Sequence, residues 1–214
     1  SMGKINKNKT EIILAIISLI LFTIILINLN NPWLSSLDLS INSKVQGIEN
    51  NTFTFIAKSL SYFFEPMNCV ILLLIISLSL WIKKYKKEAI FIASASVIGA
   101  VLIYILKNAL TRIRPLNSII EETGFSFPSG HATISLILFG CLIYYTIKRL
   151  KQKSAKTIII ILSSALILLI GFSRIYLRVH WFSDVIAGFL LGVFIISLTI
   201  IIQKLIEGFI KFKV

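Results

Sequence analysis

The sequence predicts an all-α integral membrane protein: a bundle of six transmembrane helices in a single domain, residues 1–214, with both termini cytoplasmic. Three observations carry this reading. Hydrophobic residues make up 57% of the chain and charged residues 14%, with a mean hydropathy of +0.91, well outside the range of a soluble domain of this length. Six runs free of Asp, Glu, Lys and Arg follow one another, each 16 to 18 residues long, so flanking residues complete several of the crossings. With the N-terminus placed inside, fifteen of the 22 basic residues fall in inner segments and seven in outer ones, the asymmetry of the positive-inside rule.

The first run, Ile12–Ile27, follows Lys4, Lys7 and Lys9. Its apolar core is long and no small-residue cleavage site follows in "NLNNPWLSS", so it reads as an uncleaved anchor rather than a signal peptide; Ser1 ahead of Met2 reads as an appended residue. Residues 28–66 mix apolar and polar positions and read as one or more helices lying along the membrane surface, with nothing that specifies a protein partner. Four further runs come next, Met67–Ile82, Ala89–Leu106, His131–Ile147 and Thr157–Phe172, and Val185–Ile202 completes the six. Trp33, Trp81 and Trp181 stand at run edges, where amphipathic rings prefer the headgroup layer. Cys69 and Cys141 lie inside apolar runs and give no disulfide framework. The net charge of +13 sits in short clusters between the runs, where it sets topology and meets anionic lipid, so nucleic acid is discounted as a partner and the bilayer retained.

Five of the seven outer basic residues crowd into "KNALTRIRP" and "SRIYLRVHWFSD", on the face that topology should deplete. In the first, Lys107 and Arg114 are seven residues apart and return to one face if the helical phase continues. Alone, they would read as snorkelling end residues. "FPSGHAT" places Ser129 as an N-cap before a helix start, whose unpaired N–H groups favour an anion; Gly130 allows close approach to the backbone and His131 adds a titratable ring. In the third stretch, His180 and Asp184 have i, i+4 spacing, so the carboxylate can fix the imidazole tautomer, and Arg174 brings a third cation. Both histidines of the chain thus stand at outer run ends among anion-binding groups. Two histidines without soft ligands do not complete a zinc site, and no glycine-rich nucleotide loop is present. A nucleophilic nitrogen, a second titratable ring, three cations and a helix start are what metal-free attack on a phosphate ester requires.

These segments resemble the signature of the type 2 phosphatidic acid phosphatases. Lys107 with Arg114-Pro115, then Pro128-Ser129-Gly130-His131, then Ser173-Arg174, His180 and Asp184 supply all eleven specified residues in the family order and spacing. The Pro-Ser-Gly-His form is most similar to bacterial members of the phosphatidylglycerophosphate phosphatase B type. The resemblance implies a cofactor-free lipid phosphatase of a bacterial plasma membrane, its site facing outside. Its substrate would be phosphatidylglycerol phosphate, undecaprenyl diphosphate or phosphatidic acid. It further implies that His180 attacks phosphorus, that Asp184 orients it, and that His131 protonates the leaving oxygen. Lys107, Arg114, Arg174, the Ser129 hydroxyl and the Gly130 N–H would hold the phosphoryl oxygens. Arg112 and Arg178 fall outside the signature and read as contacts to anionic lipid, with a second phosphate or the substrate headgroup as the alternative; Glu121 and Glu122 read as a solvated loop. Two other classes remain as alternatives: an anion-binding transporter, whose charges belong nearer the bilayer midplane, and a vanadate-dependent haloperoxidase-like enzyme, whose relatives are soluble.

Overall fold

The computed structural model describes residues 9–210, and among them there are eight helices and no strand. They are α1 (Lys9–Ile27), α2 (Pro32–Gln46), α3 (Asn51–Phe63), α4 (Pro66–Ile82), α5 (Lys86–Leu110), α6 (Gly130–Arg149), α7 (Lys153–Tyr176) and α8 (Phe182–Ile210). Lys4 and Lys7 of the expected anchor lie outside the described residues. Helices α1, α5, α6, α7 and α8 are each long and apolar enough to cross a membrane. α4, with 17 residues, becomes a sixth only together with α3, from which it is bent by 44°. By length and composition, a crossing here would thus have to reach into the segment expected to lie along the surface.

Each start in the 28–66 connection is encoded locally. The Asn31 side chain accepts the Trp33 N–H and Pro32 occupies the first turn of α2; the Asn50 side chain accepts the Phe53 N–H of α3; Glu65 and Pro66 do the same for α4. Rather than lying free, α2 and α3 pack on α7 and α8 through Leu34, Val45 and Ala57, and they cover the end of the bundle where α5 stops and α6 and α8 begin. At the other end, Lys204 of α8 meets Glu11 of α1 at 2.8 Å, so the first and last crossings share a side.

The packing is that of a lipid-solvated protein. Ile13, Ile16, Ile17 and Ile20 of α1 are exposed while Ala15, Ser18 and Phe22 turn inward. Buried hydroxyls are satisfied along the helices: Ser96 donates to Ile92 O at 2.6 Å and Thr199 to Ile195 O at 2.7 Å, while Ser77 crosses from α4 to Ala89 O of α5 at 2.7 Å. Close contact of α6 and α8 depends on Gly188 and Gly192. A Cβ on Gly188 would stand 2.7 Å from Ser129 O and one on Gly192 2.9 Å from Leu136. This approach seats the start of α6 against the start of α8. A cavity of about 700 Å³ lies between α4, α5, α6 and α7, lined by Leu73, Leu138, Tyr145 and Arg149; none of the signature residues reaches it.

Candidate active site

The turn that presents His180 is built by the end of α7. Arg178 N–H bonds Ile175 O at 3.0 Å and Val179 N–H bonds Arg174 O at 3.2 Å, the paired bonds of a Schellman termination. That motif needs a left-handed residue at Arg178, whose φ is 53°. Glycine is the usual choice there, and arginine is held by its side chain instead: Nε donates to Asn117 O at 2.7 Å and Nη1 to Glu49 at 2.8 Å. Both arginines expected to meet lipid or a second phosphate are thus engaged by the protein. Arg112 is as well, donating to Asp38 at 2.7 Å, Ser183 Oγ at 2.7 Å and Asp184 Oδ1 at 2.5 Å. In this structure the acceptors of both are protein groups, where lipid or a second phosphate had been expected.

His180 precedes α8 rather than lying within it, and it is 3% exposed. Its Nε2 is 3.1 Å from Arg114 Nη1. Its Nδ1 faces Asp184 Oδ2 at 3.4 Å, longer than a hydrogen bond, and this buried nitrogen has no hydrogen-bond partner among the described residues. The pair becomes an ion pair only when the imidazole is protonated. Asp184, at the third position of α8, accepts the Trp181 N–H at 2.9 Å, the carboxylate half of a capping box. Burial, then the cations Arg174, Arg114 and Lys107, hold the His180 imidazole well below its ordinary pKa, so it is neutral near pH 7.

The cations converge through shared partners. α5 ends at Leu110, with Thr111 in the left-handed region at φ 49°, so the helical phase expected to join Lys107 and Arg114 is broken. They meet by another route: both donate to Phe125 O, Arg114 Nη2 at 3.3 Å. Arg114 also laces the loop together, bonding Gly124 O at 3.0 Å, Thr123 O at 3.1 Å and, across to the His180 turn, Val179 O at 2.7 Å. Arg174 is fully buried and donates to Ser61 Oγ and to Glu122, while His131 contacts the carbonyl of the same Ser61 at 3.0 Å. Glu122 reaches back to Arg114 at 3.9 Å, so it joins the cationic cluster from an exposed loop.

Ser129 caps α6, its side chain facing the Ala132 N–H at 3.4 Å, and its own N–H bonds Asp184 O at 3.0 Å. The missing side chain of Gly130 faces Pro66 at 3.4 Å. Its role as a point of ligand approach therefore rests on its N–H, one of the free donors of a helix start. Lys107, Arg114, Ser129, Gly130, His131, Arg174, His180 and Asp184 thus gather at one end of the bundle. Asp38, Ser61, Glu122 and Ser183 join them without having been expected. Asp38 had left a signal, since it shares the buried stripe of α2 with Leu34 and Val45, an odd place for a carboxylate. No three His, Cys, Asp or Glu side chains among the described residues form a metal-binding group.

The pattern of the PAP2 superfamily matches residues 88–206, which contain all three signature segments. Phosphatidylglycerophosphatase B of Bacillus subtilis (strain 168) is 35% identical over 96 residues, 44% of this chain and 47% of that protein, so the match spans less than half of its length. Undecaprenyl-diphosphatase of Sulfolobus acidocaldarius is 30% identical over 163 residues, 72% of this chain and 71% of that one. The fold is similar to the crystal structure of a transmembrane PAP2-type phosphatidylglycerolphosphate phosphatase from Bacillus subtilis. Its TM-score is 0.80 at 22% identity, covering 89% of this chain and 96% of that one.

Proposed function

The chain belongs to the PAP2 superfamily, and on that premise we propose that it is an integral membrane lipid phosphatase that cleaves a lipid phosphate monoester or diphosphate through a phosphohistidine on His180. The observation that carries this reading is the placing of a neutral imidazole, its Nε2 3.1 Å from Arg114, within the ring of cations tied together by Phe125 O, Glu122 and Ser61.

In the first step Nε2 attacks phosphorus, the N–P bond forms and the P–O bond to the lipid breaks. His131 gives the leaving oxygen its proton. Asp184 faces the positive charge that the imidazole acquires at Nδ1. In the second step His131 takes a proton from water, the resulting oxygen attacks phosphorus, and the N–P bond breaks to release phosphate. Lys107, Arg114 and Arg174, with the Ser129 hydroxyl and the Gly130 N–H, oppose the charge that collects on the equatorial oxygens. Glu122 engages Arg174 and approaches Arg114, so an arriving phosphate displaces or shares those contacts.

The headgroup enters from the interface while the tails stay in the bilayer. Phosphatidylglycerol phosphate, undecaprenyl diphosphate and phosphatidic acid all offer the required phosphorus, and the names of the two relatives span the monoester and diphosphate classes. The excess of basic residues at the opposite end supports a site outside a bacterial plasma membrane, with both termini cytoplasmic and the chain as a single domain. The test is phosphate release by purified protein from each of the three lipids with excess chelator. Release that His180→Ala abolishes is expected; release that needs an added divalent cation, or that survives His180→Ala, overturns the reading.

A further inference from the structure

We infer that Asp38, acting through Arg112, is a positioning residue for the phosphoryl transfer: it offsets the guanidinium charge so that Asp184 keeps a net negative charge turned toward Nδ1 of His180. This rests on His180 being the nucleophile, as proposed above.

Arg112 stands between two buried carboxylates, donating to Asp184 Oδ1 at 2.5 Å and to Asp38 Oδ2 at 2.7 Å. Asp38 is 2% exposed and is saturated on its far side, accepting the Ser183 N–H at 2.9 Å and the Ser183 O–H at 2.6 Å. Ser183 Oγ in turn accepts from Arg112 at 2.7 Å. Asp184 is gripped at both oxygens, by Arg112 and by the Trp181 N–H at 2.9 Å, and this fixes the plane in which Oδ2 meets the imidazole. With His180 neutral, the group of Asp38, Arg112 and Asp184 carries one uncompensated negative charge. With His180 phosphorylated and its Nδ1 protonated, the sum with the imidazolium is zero. Without Asp38, the guanidinium alone would cancel Asp184, and the charge that stabilises the phosphohistidine would be spent before the reaction begins.

Other charged groups also surround the imidazole: Lys107 of α5, Arg174 of α7, His131 of α6, and Arg114 and Glu122 from the loop between α5 and α6. None of them is altered in the variants below. The acid limb of kcat/KM reads the imidazole of the free enzyme and is untouched by a smaller active fraction. Asp38→Asn should move that limb to lower pH by about one unit and lower kcat about tenfold. Arg112→Met, which leaves two carboxylates unneutralised, should move it upward. The double variant Asp38→Asn with Arg112→Met restores the original net charge and should return the limb close to its wild-type position; the position of the limb is read from whatever folded enzyme remains, so a loss of folded protein in any variant does not move it. Shifts of opposite sign with return in the double variant support the inference. A limb that stays in place in Asp38→Asn, whether or not the rate falls, overturns it. His180→Gln measured alongside separates the two layers: activity retained there defeats the nucleophile assignment itself, whereas an inactive His180→Gln beside an unshifted Asp38→Asn defeats only the role of Asp38.

Discussion

Replacing Glu122 with Gln removes the carboxylate that holds two of the site's cations while leaving a side chain of the same size. Glu122 binds Arg174, which is fully buried, and stands 3.9 Å from Arg114. At an effective dielectric constant of about 20, a unit-charge pair at that separation is worth about 4 kcal/mol. The Glu122 side chain is 30% exposed, so water screens the interaction toward the roughly 1 kcal/mol of an exposed pair. An incoming phosphate must offset this loss when it takes the arginines, so the substitution returns at least about 1 kcal/mol to substrate binding, or about fivefold in affinity. Competitive inhibition by inorganic phosphate, measured against a lipid phosphate in detergent micelles, is the assay. The inhibition constant and KM should both fall about fivefold or more in Glu122→Gln. An inhibition constant equal to or above that of wild type would refute the idea that the carboxylate occupies the position of the phosphate oxygens.

Three further predictions follow from the same geometry. Burial and three cations depress the His180 pKa, so the reactive neutral form persists as pH falls through about 6.5 and is lost only at the lower folded-state value; the limb of kcat/KM that reports His180 as the base should therefore lie below about pH 6.5, with a plateau above it. A rate rising steadily across about pH 5 to 9 contradicts that assignment. Because Arg178 has a φ of 53°, Arg178→Gly and Arg178→Ala lose the same contacts to Glu49 and Asn117 but only Ala keeps the left-handed cost; thermal unfolding should find the glycine variant more stable by about 1 kcal/mol. Leu116, at 97% exposure, lies in the loop at the site end, and both native cysteines are buried, so Leu116→Cys should react with a membrane-impermeant thiol reagent in intact cells; labelling only after lysis would place the site on the cytoplasmic face.

The crossings were readable because lipid imposes long charge-free runs, and only the pairing of α3 with α4 escaped, since its 44° bend hides continuity behind Glu65 and Pro66. The site was readable wherever a residue is unusual in its own segment: two histidines, and cations on the depleted face. It was hidden where a residue acts through a partner remote in sequence. Arg112 looked free because its carboxylates are 74 and 72 positions away, at Asp38 and Asp184. Ser61 and Glu122 gain their meaning from Arg174, 113 and 52 positions on, and no local pattern announces contacts so remote in sequence. Lys107 and Arg114 were paired correctly for the wrong reason: the carbonyl of Phe125 joins them, and helical phase does not.

The central claim is that His180 attacks phosphorus directly. Purified protein mixed with a lipid carrying a radiolabelled phosphate and quenched within one turnover should carry label that is stable to base and labile to acid and that is lost in His180→Ala. Phosphate release from wild type with no labelled protein at any time, or label that persists in His180→Ala, would contradict it.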